Sequence, residues 1–224
     1  MEMHMIQRHI LRRLASHKTL RYGEMKPAHI EGNQFSYHLK TLIRLGFVAH
    51  KDRGYNLSTK GVHYSTQVNF EHFSVRIQPK IATLIVCKNN AGKYLIYTRN
   101  KQPFIGMDGF PYGKIHLGER IAVAAKRELQ EKIGISARLA HKGMMYLAVT
   151  DHAGEMIAHT LFHVFLGTTD KNGASTESPL GRIRWLSEKE LLAQNVMPGV
   201  PEALKMAKST SRCLAFEEYE FQEG

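Results

Sequence analysis

Cysteine is scarce in this 224-residue chain: only Cys87 and Cys213 occur. Two cysteines exclude a disulfide framework and a four-thiolate zinc site. No stretch approaches the ~20 consecutive apolar residues of a membrane span. Met1-Glu2-Met3-His4 leads into a charged, helix-like segment without the apolar core and small-residue cleavage site of a signal peptide, so the chain is read as cytoplasmic and without a membrane partner. Internal repeats and low-complexity tracts are missing too. A hydrophobic fraction of 43% and a charged fraction of 23% exclude wholesale disorder. Acidic charge is in deficit: 31 Lys+Arg face 20 Asp+Glu, a formal +11. Such a balance favours polyanionic partners, nucleic acid or nucleotides. Residues 1–74 hold 11 Lys/Arg against 5 Asp/Glu and 8 of the 13 histidines.

The pattern changes character near residues 66–76. Before it, Ile6, Ile10, Leu11 and Leu14 recur at helical spacing. A short helix is expected from Arg21 to Lys26, cut by Pro27. A third is expected from Asn33 to Leu45, with Phe35, Leu39 and Leu42 as its buried stripe and Gly46 at its C-terminal end. Phe47 to Lys51 and Tyr55 to Leu57 flank Asp52-Arg53-Gly54, a hairpin signal. A capped helix is expected after Ser58. Beyond residue 76, β-rich runs at Ile81–Cys87, Lys93–Thr98, Met144–Thr150, Ile157–Leu166 and Arg182–Trp185 alternate with helices at Glu119–Lys132, Glu188–Ala193 and after Pro201, with a Gly/Pro-rich loop over Ile105–Gly118. The mixture predicts an α/β (α+β) class. The expected division is 1–70, 76–212 and an acidic tail at 213–224, read as mobile.

Three helices followed by a two-stranded wing give the first module its resemblance to ArsR-like winged helix-turn-helix domains, over roughly residues 5–66 and most clearly in Asn33–Val48. The resemblance implies DNA as partner and the third helix as the major-groove reader. With Phe35, Leu39 and Leu42 facing inward, Gln34, Tyr37, Lys40, Thr41 and Arg44 face out, with Ser36 at the edge. Lys51 and Arg53, at the wing tip, suit backbone contact. The alternative is a solvated basic helix in a protein- or RNA-binding module. A homodimer on DNA is expected, with the Ile6–Leu14 helix as its candidate interface.

The second module carries Gly113-x5-Glu119-x7-Arg127-Glu128-Leu129-x-Glu131-Lys132-x-Gly134-Ile135. This resembles the Nudix signature, G-x5-E-x7-R-E-U-x-E-E-x-G-U with U aliphatic, at eight of nine specified positions. The approach Gly109–Lys114 and the Trp185-Leu186-Ser187 strand end extend the resemblance to about residues 78–208, and with it the expectation of a Nudix α/β/α sandwich. Gly113 suits a loop that approaches phosphates closely, with Lys114 and Glu119 beside it. Glu119 is placed at a helix N-terminus, where the dipole favours a carboxylate. Glu128, Glu131 and position 132 share one helix face. Ile121, Ala125, Leu129 and Ile133 form the stripe opposite. The resemblance implies that carboxylates on that face bind Mg²⁺, which neutralises a diphosphate and activates water. Arg127, Glu128 and Glu131 are then the catalytic candidates, and Glu128 and Glu131 the metal ligands.

Lys132 departs from the signature, which has a metal-binding Glu there. An ammonium cannot ligate a hard cation. Glu128 and Lys132 are also an i, i+4 pair in the favoured orientation, and Arg127 and Glu131 form a second. One reading is a silent or weakened site in a transcriptional regulator, with Lys132 binding a ligand phosphate directly and a nucleoside-diphosphate compound as effector. The other is a working Mg²⁺-dependent hydrolase whose winged helix serves targeting or assembly. His159 and His163, two strand residues ~13 Å apart at ~3.3 Å per residue, cannot share one zinc. His116 and Glu177 are minor candidates for phosphate and metal contact. Phe104, Phe110 and Tyr146 are minor candidates for base stacking, with core packing as the alternative.

Overall fold

A computed structural model describes the chain except residues 1–2, 52–53, 171–175, 179–180, 212 and 223–224. It divides into two compact units, Met1–Ile77 and Gln78–Gly224.

In the first unit, helix α1 (Met5–Ala15) starts at His4, whose ring Nδ1 accepts from Ile6 N (3.2 Å) while Gln7 Oε1 accepts from His4 N (3.0 Å). The box satisfies two backbone donors that a helix start otherwise leaves open. Next come α2 (Tyr22–Met25), α3 (Gly32–Arg44), the hairpin β1 (Val48–Lys51) and β2 (Gly54–Leu57), and α4 (Thr59–Gln67). Phe35, Leu39 and Leu42 are buried as the stripe predicts. Each such side chain contributes about 1.5–3 kcal/mol by leaving water. Gly46 takes a positive φ (+77°) just past α3, and Ser58 caps α4 by accepting from Gly61 N (3.1 Å). Strands β3 (Val68–Asn69) and β4 (Ser74–Val75) close the unit, so it extends past residue 70. One expectation is narrowed here. Ile6, Ile10, Leu11 and Leu14 are 0–3% exposed inside this unit's own core. The stripe of α1 is therefore consumed internally, so a dimer through this helix would have to use its outer side.

The second unit is built on one mixed sheet. Its strands are β5 (Lys80–Asn89), β6 (Tyr94–Arg99), β7 (Asp108–Gly109), β8 (Tyr112–Lys114), β9 (Arg138–Thr150), β10 (Met156–Thr169), β11 (Thr176–Ser178), β12 (Gly181–Leu186) and β13 (Ala215–Gln222). Among the described residues the order is β11-β12-β6-β5-β10-β9-β13, with β7 on β6 and β8 on β5. The helices are α5 (Ile121–Ile133), α6 (Glu188–Leu192) and α7 (Val200–Lys208). β5 and β10 pair in parallel, Lys80 opposite Thr160. The middle of β5, Ala82–Cys87, is buried on both faces and reads as a nearly continuous apolar run.

Three expectations change in this unit. The Ile105–Gly118 loop contains β7 and β8. The acidic tail is not a loose extension: β13 pairs in parallel with β9, and Ala215, Tyr219 and Phe221 alternate inward against the core while Phe216, Glu218 and Glu220 face out. Alternating glutamates hid an amphipathic edge strand of period two. Finally, α5 begins at Ile121, which is 37% exposed; Ala125, Leu129 and half-buried Ile133 pack on the core as the stripe predicts, joined by Ala124.

Candidate functional site

Strand β8 and helix α5 bring the box together. Gly113, in register with Thr83 on β5, is buried. A Cβ on it would lie 1.8 Å from the Glu128 carboxylate. The glycine therefore makes room for Glu128 itself, where the sequence suggested room for a phosphate. Glu128 is 4% exposed, an unusual burial for a carboxylate unless it is paired. It is paired twice. Arg127 Nη1 donates to Oε1 (2.8 Å), and Lys132 Nζ lies 2.5 Å from Oε2, an ion contact outside hydrogen-bond alignment. Lys132 Nζ also donates to the Tyr112 carbonyl on β8 (2.9 Å).

Arg127 engages every acidic member of the motif. Its Nε and Nη2 hold the two Glu119 oxygens (2.7 and 2.8 Å), Nη1 reaches Glu131 (3.3 Å), and Nη2 donates to the Lys114 carbonyl (3.2 Å). The bidentate grip on Glu119, with a bond from His116 N (3.0 Å), depresses the Glu119 carboxyl to about 2. The same contact raises the Arg127 guanidinium further. Glu119 lies one residue before the N-cap Arg120 of α5, and its charge is balanced directly by Arg127.

Charge on this face is largely self-neutralised: three carboxylates meet one guanidinium and one ammonium. Glu128 has both oxygens against cations, and Glu131 is an exposed side chain shared with Arg127. Among the described residues no group of three or more His, Cys, Asp or Glu is arranged to hold a metal ion. The donor set as placed does not fit Mg²⁺, because the buried carboxylate that would ligate it already faces an ammonium at 2.5 Å.

Beside the box lies a cavity of about 440 Å³, within the usual range for small-molecule sites. Lys114, Glu128 and Lys132 line one side; Lys80, Arg99 and Lys101 also line it. These last three carry no motif and come from β5, β6 and the loop after β6, so only the fold reveals them. Arg99, 9% exposed, donates to the carbonyls of Pro103 (2.5 Å) and Gln102 (3.2 Å) and to Tyr97 Oη (3.5 Å), pinning the loop that forms the wall. Phe104 and Phe110 are both buried and both line the cavity.

The other candidates are dispersed. Tyr146 is absent from the cavity lining and packs against His159 (ring centroids 4.8 Å). His163 faces His141 (Nδ1 to Nε2, 3.3 Å), and burial holds both imidazoles below their ordinary range. His116 is exposed. Glu177 lies on β11, in register with Arg182. On α3, Gln34, Tyr37, Lys40 and Arg44 are exposed, as is Lys51 at the end of β1. Ser36 and Thr41 are half-buried. Ser36 Oγ is 2.9 Å from Tyr22 Oη and Thr41 Oγ1 donates to the Tyr37 carbonyl (2.8 Å), so both hydroxyls are engaged locally. Arg53 lies outside the described residues.

The family model described as NUDIX domain matches residues 78–207. No curated protein matches the chain. Among solved structures it is similar to the MutT protein of Bacillus halodurans, at 22% identity and a TM-score of 0.51 over 64% of this chain and 90% of that one. It is also similar to the NUDIX domain of Shewanella oneidensis NrtR complexed with ADP ribose, at 15% identity and a TM-score of 0.51 over 65% of this chain and 95% of that one.

Proposed function

The chain belongs to the NUDIX domain family, and from that membership we propose a DNA-binding transcriptional regulator whose NUDIX domain takes a nucleoside-diphosphate compound as effector and hydrolyses it weakly or not at all. The observation that carries this reading is the Lys132–Glu128 contact at 2.5 Å. In metal-assisted hydrolysis the ion that activates water is held by free carboxylates. Here the box carboxylates are already paired with Arg127 and Lys132, so the buried ligand position is closed to a metal, and positive charge for a ligand comes from the lysines that line the cavity. Lys132 and Lys114 both line the cavity and suit contact with a diphosphate. The ADP ribose bound by the NrtR domain makes that compound the natural first probe.

For the first unit, the proposal is a winged helix that reads DNA through Gln34, Tyr37, Lys40 and Arg44 on α3, with Lys51 on the backbone. Exposure of those side chains and the +6 formal charge of residues 1–74 support it. A dimer on DNA would need a face other than the apolar stripe of α1.

The test is a calorimetric binding and product-release screen with ADP-ribose, nucleoside diphosphate sugars and nucleoside triphosphates, each with Mg²⁺ and with chelator. Binding that survives chelation without turnover is expected. Brisk Mg²⁺-dependent turnover would replace this reading with that of a working hydrolase carrying a targeting module.

A further inference from the structure

The cavity beside the box is sharply divided in polarity. Lys80, Lys101 and Lys114 are exposed at its rim, with Lys132 half-buried next to them. Its floor is apolar: Leu84, Phe110, Leu147, Met197 and Val200 are each 1–6% exposed. The buried lining side chains that can form hydrogen bonds are four, among the described residues: Tyr97, Arg99, Glu128 and Thr160. Three are already engaged. Arg99 holds two carbonyls and Tyr97 Oη, and Glu128 faces Arg127 and Lys132. Within this buried set only Thr160 is left to address a polar edge; Tyr112, half-buried, and Gln102, exposed, line the cavity outside the buried floor.

We infer that this site selects its ligand by the diphosphate and not by the base: the cationic rim holds the phosphates, and the base lies in the apolar floor, held by shape and by contact with Phe110. The inference rests on the reading of the site as a nucleoside-diphosphate pocket and adds how that pocket discriminates. A site that reads a base must present hydrogen-bond partners to its edge, and rejection of a ligand that lacks the match then reaches ~10⁴–10⁵; an apolar pocket separates related groups by only ~10²-fold or less. The floor here belongs to the second kind. The flat aromatic group gains by leaving water for an apolar seat. Lysines at the rim act as mobile point charges and accept diphosphates of differing sugar and base.

The experiment uses the full chain in chelator, with ADP-ribose, GDP-mannose and UDP-glucose as probes, and adenosine and inorganic pyrophosphate as half-ligands. The three diphosphate sugars are expected to bind with Kd values within about 100-fold of one another, and both half-ligands more weakly than any of them. Phe110→Leu, which keeps bulk and removes the ring, is expected to weaken all three by a similar factor. Thr160→Val is expected to change none. A preference for one base beyond that window overturns the inference, as does a loss with Thr160→Val confined to one base, while the pocket reading stands. Farnesyl diphosphate binding more tightly than all three sugars also overturns it, by assigning the floor to an aliphatic tail. If no nucleotide binds at all, the pocket reading falls and this inference falls with it.

Discussion

Gly113 and Glu128 occupy one another's space: a Cβ on the glycine would meet the carboxylate carbon at 1.8 Å. Gly113→Ala must therefore displace Glu128 from Arg127 and Lys132. The expected cost is about 1–3 kcal/mol of overpacking, seen as a lowered Tm. Combining Gly113→Ala with Glu128→Ala should recover most of the overpacking part, and a double mutant no better than the sum of the singles would refute the clash.

Lys132→Glu exchanges the ammonium beside buried Glu128 for a fourth carboxylate. Arg127 still holds Glu128, so the loss in chelator is expected to be roughly 1–3 kcal/mol, short of the ~3–5 kcal/mol for a buried charge left wholly alone. Mg²⁺ binds only the folded site and should restore stability by mass action. Release of nucleoside monophosphate from at least one nucleoside-diphosphate compound should rise with Mg²⁺ in the variant and stay low in the parent. Paired thermal melts and product assays, with Mg²⁺ and with chelator, decide it; a parent that already turns over as fast as the variant shows that Lys132 is not the defect.

Lys40→Ala/Arg44→Ala on α3 should weaken DNA binding, and the slope of log K against log salt should fall by about one unit per lost phosphate contact. Gel shifts at several salt concentrations measure it. Identical slopes for parent and double variant would remove α3 from the interface.

His141 and His163 are held below their ordinary range by burial. The sign follows from proton uptake: below the ordinary value of 6.5 the unfolded chain takes up protons that the folded pair resists, so stability is full above 6.5 and declines as pH falls beneath it. Tm should drop between pH 6.5 and 5, and His163→Asn should flatten that drop. An unchanged slope in the variant would assign the acid sensitivity to other groups.

Periodicity served well where contacts are local. The stripes of α1 and α3, the hairpin and the stop at Gly134 all follow from spacing within one element. The Glu128–Lys132 contact follows from i, i+4 geometry alone. What spacing could not convey is which side chains meet across the fold. Arg127 reaching back eight residues to Glu119 depends on where the β8–α5 loop turns. Lys80 and Arg99 enter the cavity through strand pairing. The floor depends on Met197 and Val200, close to the start of α7. β13 was illegible for another reason: its three glutamates are interspersed with the inward-facing Tyr219 and Phe221, so composition suggested solvent where period two suggests an edge.

The parallel pairing of β5 with β10 also has a consequence for synthesis. Lys80 must wait for Thr160, eighty residues further along, and β9 gains its outer neighbour only when β13 emerges. At ~5–20 residues per second of translation, the second unit passes several seconds with apolar strand edges uncovered. The first unit, whose contacts close within its own 77 residues, can fold in that interval. The nascent chain therefore offers chaperones a definite window, one that opens with β5 and shuts when β13 takes its place.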